Sequence, residues 1–198
     1  VRSLITPRTK AIMAVDIFGM TADVAALRAI ADEYGLKLLG DTAQAPGALR
    51  EGDFTGTGYD IGGFSLNYHK HIHCGEGGIL VTNDDALAER LALIRNHAES
   101  VIKPKSRDDL ANMIGYNFRM GEIEAAIASV QLDKLEERVA DRQRVADQLN
   151  AGLGDLKGLT TPKVKDGATH VYYVYGMVLD TQAVGISRGK IANALRAE

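Results

Sequence analysis

Phe64-Ser65-Leu66-Asn67-Tyr68-His69-Lys70-His71-Ile72-His73-Cys74-Gly75-Glu76-Gly77-Gly78 joins two apolar runs, Ile61 to Leu66 and Ile79-Leu80-Val81. Most lysines are solvated surface charges. Lys70 stands instead where a buried strand ends, among aromatic and imidazole side chains and ahead of a glycine-rich turn. Glycine lets the backbone double back tightly there. A setting that takes an amine out of water favours its neutral, nucleophilic form, which can condense with an aldehyde.

Working outward, Ala11 to Phe18 is a largely apolar run closed by Gly19, the pattern of a strand buried on both faces. Thr21 is placed to cap a helix carrying Val24, Leu27, Ile30, Ala31 and Tyr34 on one face, with Gly35 as its stop. Leu36 to Gly40 is the next strand, and this alternation predicts parallel βαβ units. Ligands of such sheets bind outside the carboxyl ends of the strands, where Asp41 falls. Ala43 to Gly58, with Pro46 and several glycines, reads as loop and turns. Ile61 to Leu66 and Gly78 to Thr82 are two further strands. Asn83 or Asp84 then caps a helix through Leu87, Leu91 and Ile94 that ends near His97.

Residues 98–118 form a long polar loop, a length that points to function. From Gly121 to Leu149 apolar residues recur at helical spacing over a span long enough to predict a break near Asp133. That break divides the chain into residues 1–133, one α/β domain, and residues 134–198, a connecting helix leading into a smaller one. His170 to Leu179 reads as a strand, and Ser187 caps a last helix.

The composition fits this reading. The 198 residues are 45% hydrophobic, enough for a sizeable core, and a net charge of −3 spread over mixed acids and bases leaves no basic footprint for nucleic acid or a membrane surface. No apolar stretch is long enough to span a bilayer as a helix. A single cysteine, Cys74, excludes an internal disulfide and suits a reducing, cytoplasmic compartment. Val1 at the start and a helix cut by Glu198 lead us to expect a piece of a longer protein.

Four motifs in order, Asp41-Thr42-Ala43-Gln44-Ala45, Ser65 five residues before Lys70, Gly75-Glu76-Gly77-Gly78 and Gly115-Tyr116-Asn117-Phe118-Arg119-Met120, resemble the DegT/DnrJ/EryC1/StrS sugar aminotransferases. The resemblance runs from about Ile5 to the end of the chain. It implies a pyridoxal 5'-phosphate enzyme of the aspartate aminotransferase fold (fold type I), α/β with a mostly parallel central sheet flanked by helices, plus part of a smaller C-terminal α/β domain. Residues 1–133 would be the C-terminal portion of the large cofactor-binding domain, and residues 134–198 the connecting helix and the start of the small one.

The resemblance also assigns roles. Lys70 would hold the cofactor as a Schiff base and shuttle the proton. Asp41 would pair with the pyridine nitrogen and keep the ring an electron sink, although an aspartate here also suits a loop or a helix cap. Ala43 would lie under the ring, Gln44 beside it, and the Ser65 hydroxyl on the phosphate. Asn117 would reach the phosphate of a neighbouring subunit, implying a homodimer with shared sites. Arg119 would face a substrate carboxylate or phosphate, or else form a structural ion pair.

His69, His71 and His73 beside Cys74 suggest a metal only if the segment is a regular strand; the resemblance makes it an irregular turn, so no metal is expected. Two positions depart from the family's pattern, with Gly40 where an acid often precedes the aspartate and Asp16 where histidine is common. Dehydratase relatives replace the lysine with histidine, so Lys70 implies transamination. The expected reaction moves an amino group from glutamate or glutamine to a keto sugar, most simply a nucleotide-linked one. The same chemistry on a cyclitol or aminohydroxybenzoate precursor, or a catalytically silent regulatory relative, are the alternatives.

Overall fold

The computed structural model describes residues 1–99 and 113–198, so most of the loop expected at 98–118 lies outside the described residues. In chain order the elements are β1 (Ala11–Val15), α1 (Val24–Glu33), β2 (Lys37–Asp41), β3 (Leu49–Arg50), β4 (Asp53–Phe54), β5 (Ile61–Ser65), β6 (Gly78–Val81) and α2 (Asp85–Arg95). After the loop come α3 (Glu122–Leu132), α4 (Leu135–Leu153), β7 (Leu159–Thr160), β8 (Val178–Leu179), α5 (Thr181–Val184) and α6 (Arg188–Ala197). The main sheet runs β1-β2-β5-β6, with the first three strands parallel and β6 antiparallel. This is the α/β class with a mostly parallel sheet that the sequence predicts.

Strand residues alternate between faces, and the register says which share one. Ile12, Ala14 and Leu38 lie on the face that α1 covers, where Ala14, Ala31, Leu38 and Tyr59 form a buried cluster. Val15, Asp41 and Gly63 are register partners on the other face, and Ser65 follows Gly63 by two residues. That second face leaves Met13, Val15 and Leu80 exposed. The carboxyl ends of β1, β2 and β5 therefore share one edge of the sheet, and Asp41 and Ser65 share one face of it.

Four local details differ from the sequence reading. β1 stops at Val15 rather than at Phe18, because Asp16 turns inward and Ile17–Gly19 is a 3-10 turn with Phe18 at φ 61 and Gly19 at φ 102. Asp23, not Thr21, caps α1, its carboxylate accepting the Ala26 N–H at 3.2 Å. The irregular stretch after Ala43 contains the β3-β4 hairpin. His170 to Leu179 is not one strand: His170 makes a lone bridge to Met20, Tyr172 turns to φ 47, and only Val178–Leu179 pairs, with β7.

The long periodic stretch breaks at Asp133 and Lys134 into α3 and α4. Leu135, just past the break, packs against two buried clusters, one of Leu66, Ile72 and Cys74 and the other of Ala45, Ala48, Val139 and Val171. Asp84 and Ser187 cap α2 and α6 as the sequence predicts.

Candidate active site

Each of the parallel strands delivers a residue to the shared edge. Past β1, the strained Phe18 is held by the Gln44 side chain, whose Oε1 accepts the Phe18 N–H at 2.7 Å. At the end of β2, Asp41 is exposed and its Oδ1 accepts the Ala43 N–H at 3.1 Å. That bond closes a tight turn and leaves Oδ2 for another donor. Ala43 and Gln44 are half-buried just beyond it. At the end of β5 the Ser65 hydroxyl accepts the Asn67 N–H at 3.2 Å. Gly63, beside Asp41 on the same face, has no side chain to crowd it.

Lys70 lies in a run of turns, its N–H donating to the Asn67 carbonyl at 3.0 Å. Its Nζ sits 4.7 Å from the centre of the Tyr173 ring. The rings of His69 and His71 lie 6.3 and 5.8 Å from the same tyrosine. His71 is buried, and its Nε2–H donates to the Val171 carbonyl at 2.9 Å, which leaves Nδ1 bare and without a partner. Burial pushes this imidazole down to about 4, with the cations of Arg142 and Lys70 adding to the effect. Because the segment is a chain of turns, the alternation of three histidines does not build a metal site, and no group of three His, Cys, Asp or Glu among the described residues is arranged to hold one. Cys74 is buried, and burial with the nearby Glu124 and Glu76 pushes its thiol up.

Two cavities flank the lysine turn. One of about 560 Å³ lies between that turn, α4 and Tyr172, Tyr173 and Tyr175, and takes in Lys70. The other, about 910 Å³, takes in Ser65, Leu66 and Ile72. Asp41 and Gln44 line neither; Asp41 is exposed at the end of β2, and Gln44 lies half-buried in the turn beyond it. Asn117 is exposed and bridges backbone to backbone with Asn96 after α2. Arg119 donates from Nη1 to Oδ1 of the buried Asn96 at 2.8 Å, a neutral partner rather than an ion pair.

The two departures at Asp16 and Gly40 meet at one ring. Tyr59 donates its hydroxyl to the fully buried Asp16 at 2.8 Å, and its ring lies where any Cβ on Gly40 would go. Asp16 also accepts from Thr42 Oγ1 at 2.9 Å, Thr55 Oγ1 at 3.1 Å and the Ala22 N–H at 2.7 Å. Burial beside this carboxylate pushes the Tyr59 phenol strongly up. Sequence reasoning missed this hub, and it missed Phe18 and Tyr173; the Tyr172-Tyr173-Val174-Tyr175 run was the only signal for the last.

Residues 1–198 match the DegT/DnrJ/EryC1/StrS aminotransferase family. A dTDP-3-amino-3,4,6-trideoxy-alpha-D-glucose transaminase of Micromonospora megalomicea subsp. nigra is 41% identical over 179 residues, 88% of this chain and 46% of that protein. An L-glutamine:2-deoxy-scyllo-inosose aminotransferase of Streptoalloteichus tenebrarius is 36% identical over 206 residues, 100% of this chain and 48% of that protein. Among solved structures, S. venezuelae DesV in complex with a ketimine intermediate is similar with a TM-score of 0.86 and 33% identity, over 98% of this chain and 49% of that one. The chain thus spans about half the length of these relatives.

Proposed function

The chain belongs to the DegT/DnrJ/EryC1/StrS aminotransferase family, and from that premise we propose that it forms part of a pyridoxal 5'-phosphate aminotransferase acting on a nucleotide-linked keto sugar, with glutamate or glutamine as amino donor. The observation that carries this reading is the edge of the sheet, where Asp41 and Ser65 share one face and the turn bearing Lys70 follows β5. The donor set fits the cofactor: an amine for its aldehyde, a hydroxyl for its phosphate, a carboxylate for its ring nitrogen, and small residues, Gly63 and Ala43, where a flat ring needs room.

When bound, pyridoxal phosphate supplies an electron sink that stabilises negative charge on the substrate carbon. Lys70 would hold the cofactor through Nζ, and as a free amine it would take a proton at that atom and give it back. Asp41 presents Oδ2 to the ring nitrogen and favours its protonated form. Gln44, with Oε1 spent on Phe18, has its amide N–H groups left for the ring oxygen. Ser65 donates to the phosphate.

In this reading residues 1–133 belong to the large domain and residues 134–198 to the connecting helix and the start of the small one. The protein is a homodimer with shared sites, in which Asn117 serves the partner's phosphate and Arg119 a substrate anion. The likeness to a dTDP-sugar transaminase supports the nucleotide-linked sugar, while the likeness to the scyllo-inosose enzyme favours a cyclitol ketone as the second reading. The test is to incubate the intact protein with pyridoxal phosphate, glutamate or glutamine, and a panel of nucleotide-linked keto sugars and keto cyclitols, reading products by mass. The expected outcome is conversion of a nucleotide-linked ketone to its amine. Amination of cyclitols alone would select the second reading, and no amine from any ketone would overturn both.

A further inference from the structure

We propose that Tyr173 is a positioning residue for Lys70, its ring the platform that holds the lysine amine whenever that amine is charged and not bonded to the cofactor; this rests on the role given to Lys70 above. The Nζ lies 4.7 Å from the ring centre, inside the roughly 6 Å over which an aromatic face attracts an ammonium. A neutral amine feels no such attraction. The ring therefore holds the protonated lysine in one place after it has accepted a proton.

The platform is fixed from several sides. It stands on the stretch 170–175, far from Lys70 in sequence, and side chains of the lysine turn and α4 donate to three of its backbone carbonyls. The His71 Nε2–H donates to the Val171 carbonyl at 2.9 Å. From α4, Arg142 donates to the Tyr172 carbonyl at 3.0 Å and Gln143 to the His170 carbonyl at 3.1 Å. Arg138 of the same helix donates to the His71 carbonyl at 3.2 Å, so α4 grips both the lysine turn and the tyrosine stretch. The immediate neighbour of the lysine, His71, is thus the strut that brings the platform to it.

The decisive experiment is NMR on the intact protein without cofactor, labelled with 13Cε-lysine and with Lys70 assigned by Lys70→Arg. An aromatic face shifts the protons above it upfield. The Lys70 ε-methylene resonance should stand upfield of the other lysines, stay there in Tyr173→Phe, and return to the common position in Tyr173→Leu. A Lys70 resonance at the common position in the unmodified protein would overturn the proposal whatever the variants do, and so would one unmoved by Tyr173→Leu. Borohydride trapping of added pyridoxal phosphate on the same samples separates the two claims. An upfield Lys70 that traps no cofactor upholds the platform and sinks the cofactor assignment; a Lys70 that traps cofactor but shows no shift overturns the platform alone.

Discussion

One oxygen of Asp41 closes its own turn on Ala43, so the charge offered to a ligand is the other. If that charge keeps a pyridine nitrogen protonated, its shape alone is insufficient. Asp41→Asn preserves the size and the turn bond but not the charge. It is expected to slow the half-reaction with glutamate by about 100-fold or more, the scale of one lost electrostatic contact in an active site, while cofactor uptake persists; near-normal turnover would refute the role. His71 yields a second prediction. Burial holds the folded imidazole near 4 against an ordinary 6.5, so as the pH falls through that window the unfolded chain binds a proton that the folded chain refuses. Stability present above about 6.5 is then lost toward about 4. In His71→Gln, which keeps a donor for Val171, the urea midpoint should fall less steeply across that window. Some slope should remain, because burial depresses His170 as well. An unchanged slope would show that His71 does not titrate in this way.

The ends of β1 and β2 are tied together by Asp16. A fully buried carboxylate with four donors joins Ala22 before α1, Thr42 after β2, and Thr55 and Tyr59 ahead of β5. Asp16→Ala would leave those donors unmet, and each unmet buried partner costs about 1–3 kcal/mol. Denaturant unfolding should therefore show a loss of about 3 kcal/mol or more, with a smaller loss for Asp16→Asn, whose amide oxygen still accepts. A loss under about 1 kcal/mol would mean that water replaces the carboxylate. The same element shows where sequence was legible. β2, β5, α2 and α6 announce themselves through apolar runs and capping residues. The end of β1 does not, because Ile17 and Phe18 look like strand and nothing local says that Asp16 turns inward to meet Tyr59. The stretch 170–175 reads as strand for its aromatics. It is bent by contacts with His71, Arg142 and Gln143, partners that are remote in sequence.

For the molecule as a whole, the α/β class, the parallel sheet and the break after α3 follow from periodicity, which needs only local information. The proposed site stands out in the sequence where motif and strand end coincide, as at Asp41, Ser65 and Lys70, and not where it depends on distant chain, as at Tyr173. One face of the sheet, with Met13, Val15 and Leu80 exposed around Asp41, has no cover among the described residues, and the chain spans about half the length of its relatives. The central claim, a cofactor-bearing aminotransferase anchored at Lys70, is therefore tested in the intact protein. Pyridoxal phosphate is added, borohydride reduces the adduct, and peptide mass spectrometry locates it. We expect a visible absorption band and a single pyridoxyl group on Lys70, both gone in Lys70→Ala; a reducible adduct that survives in Lys70→Ala, or none in the unmodified protein, would contradict the account.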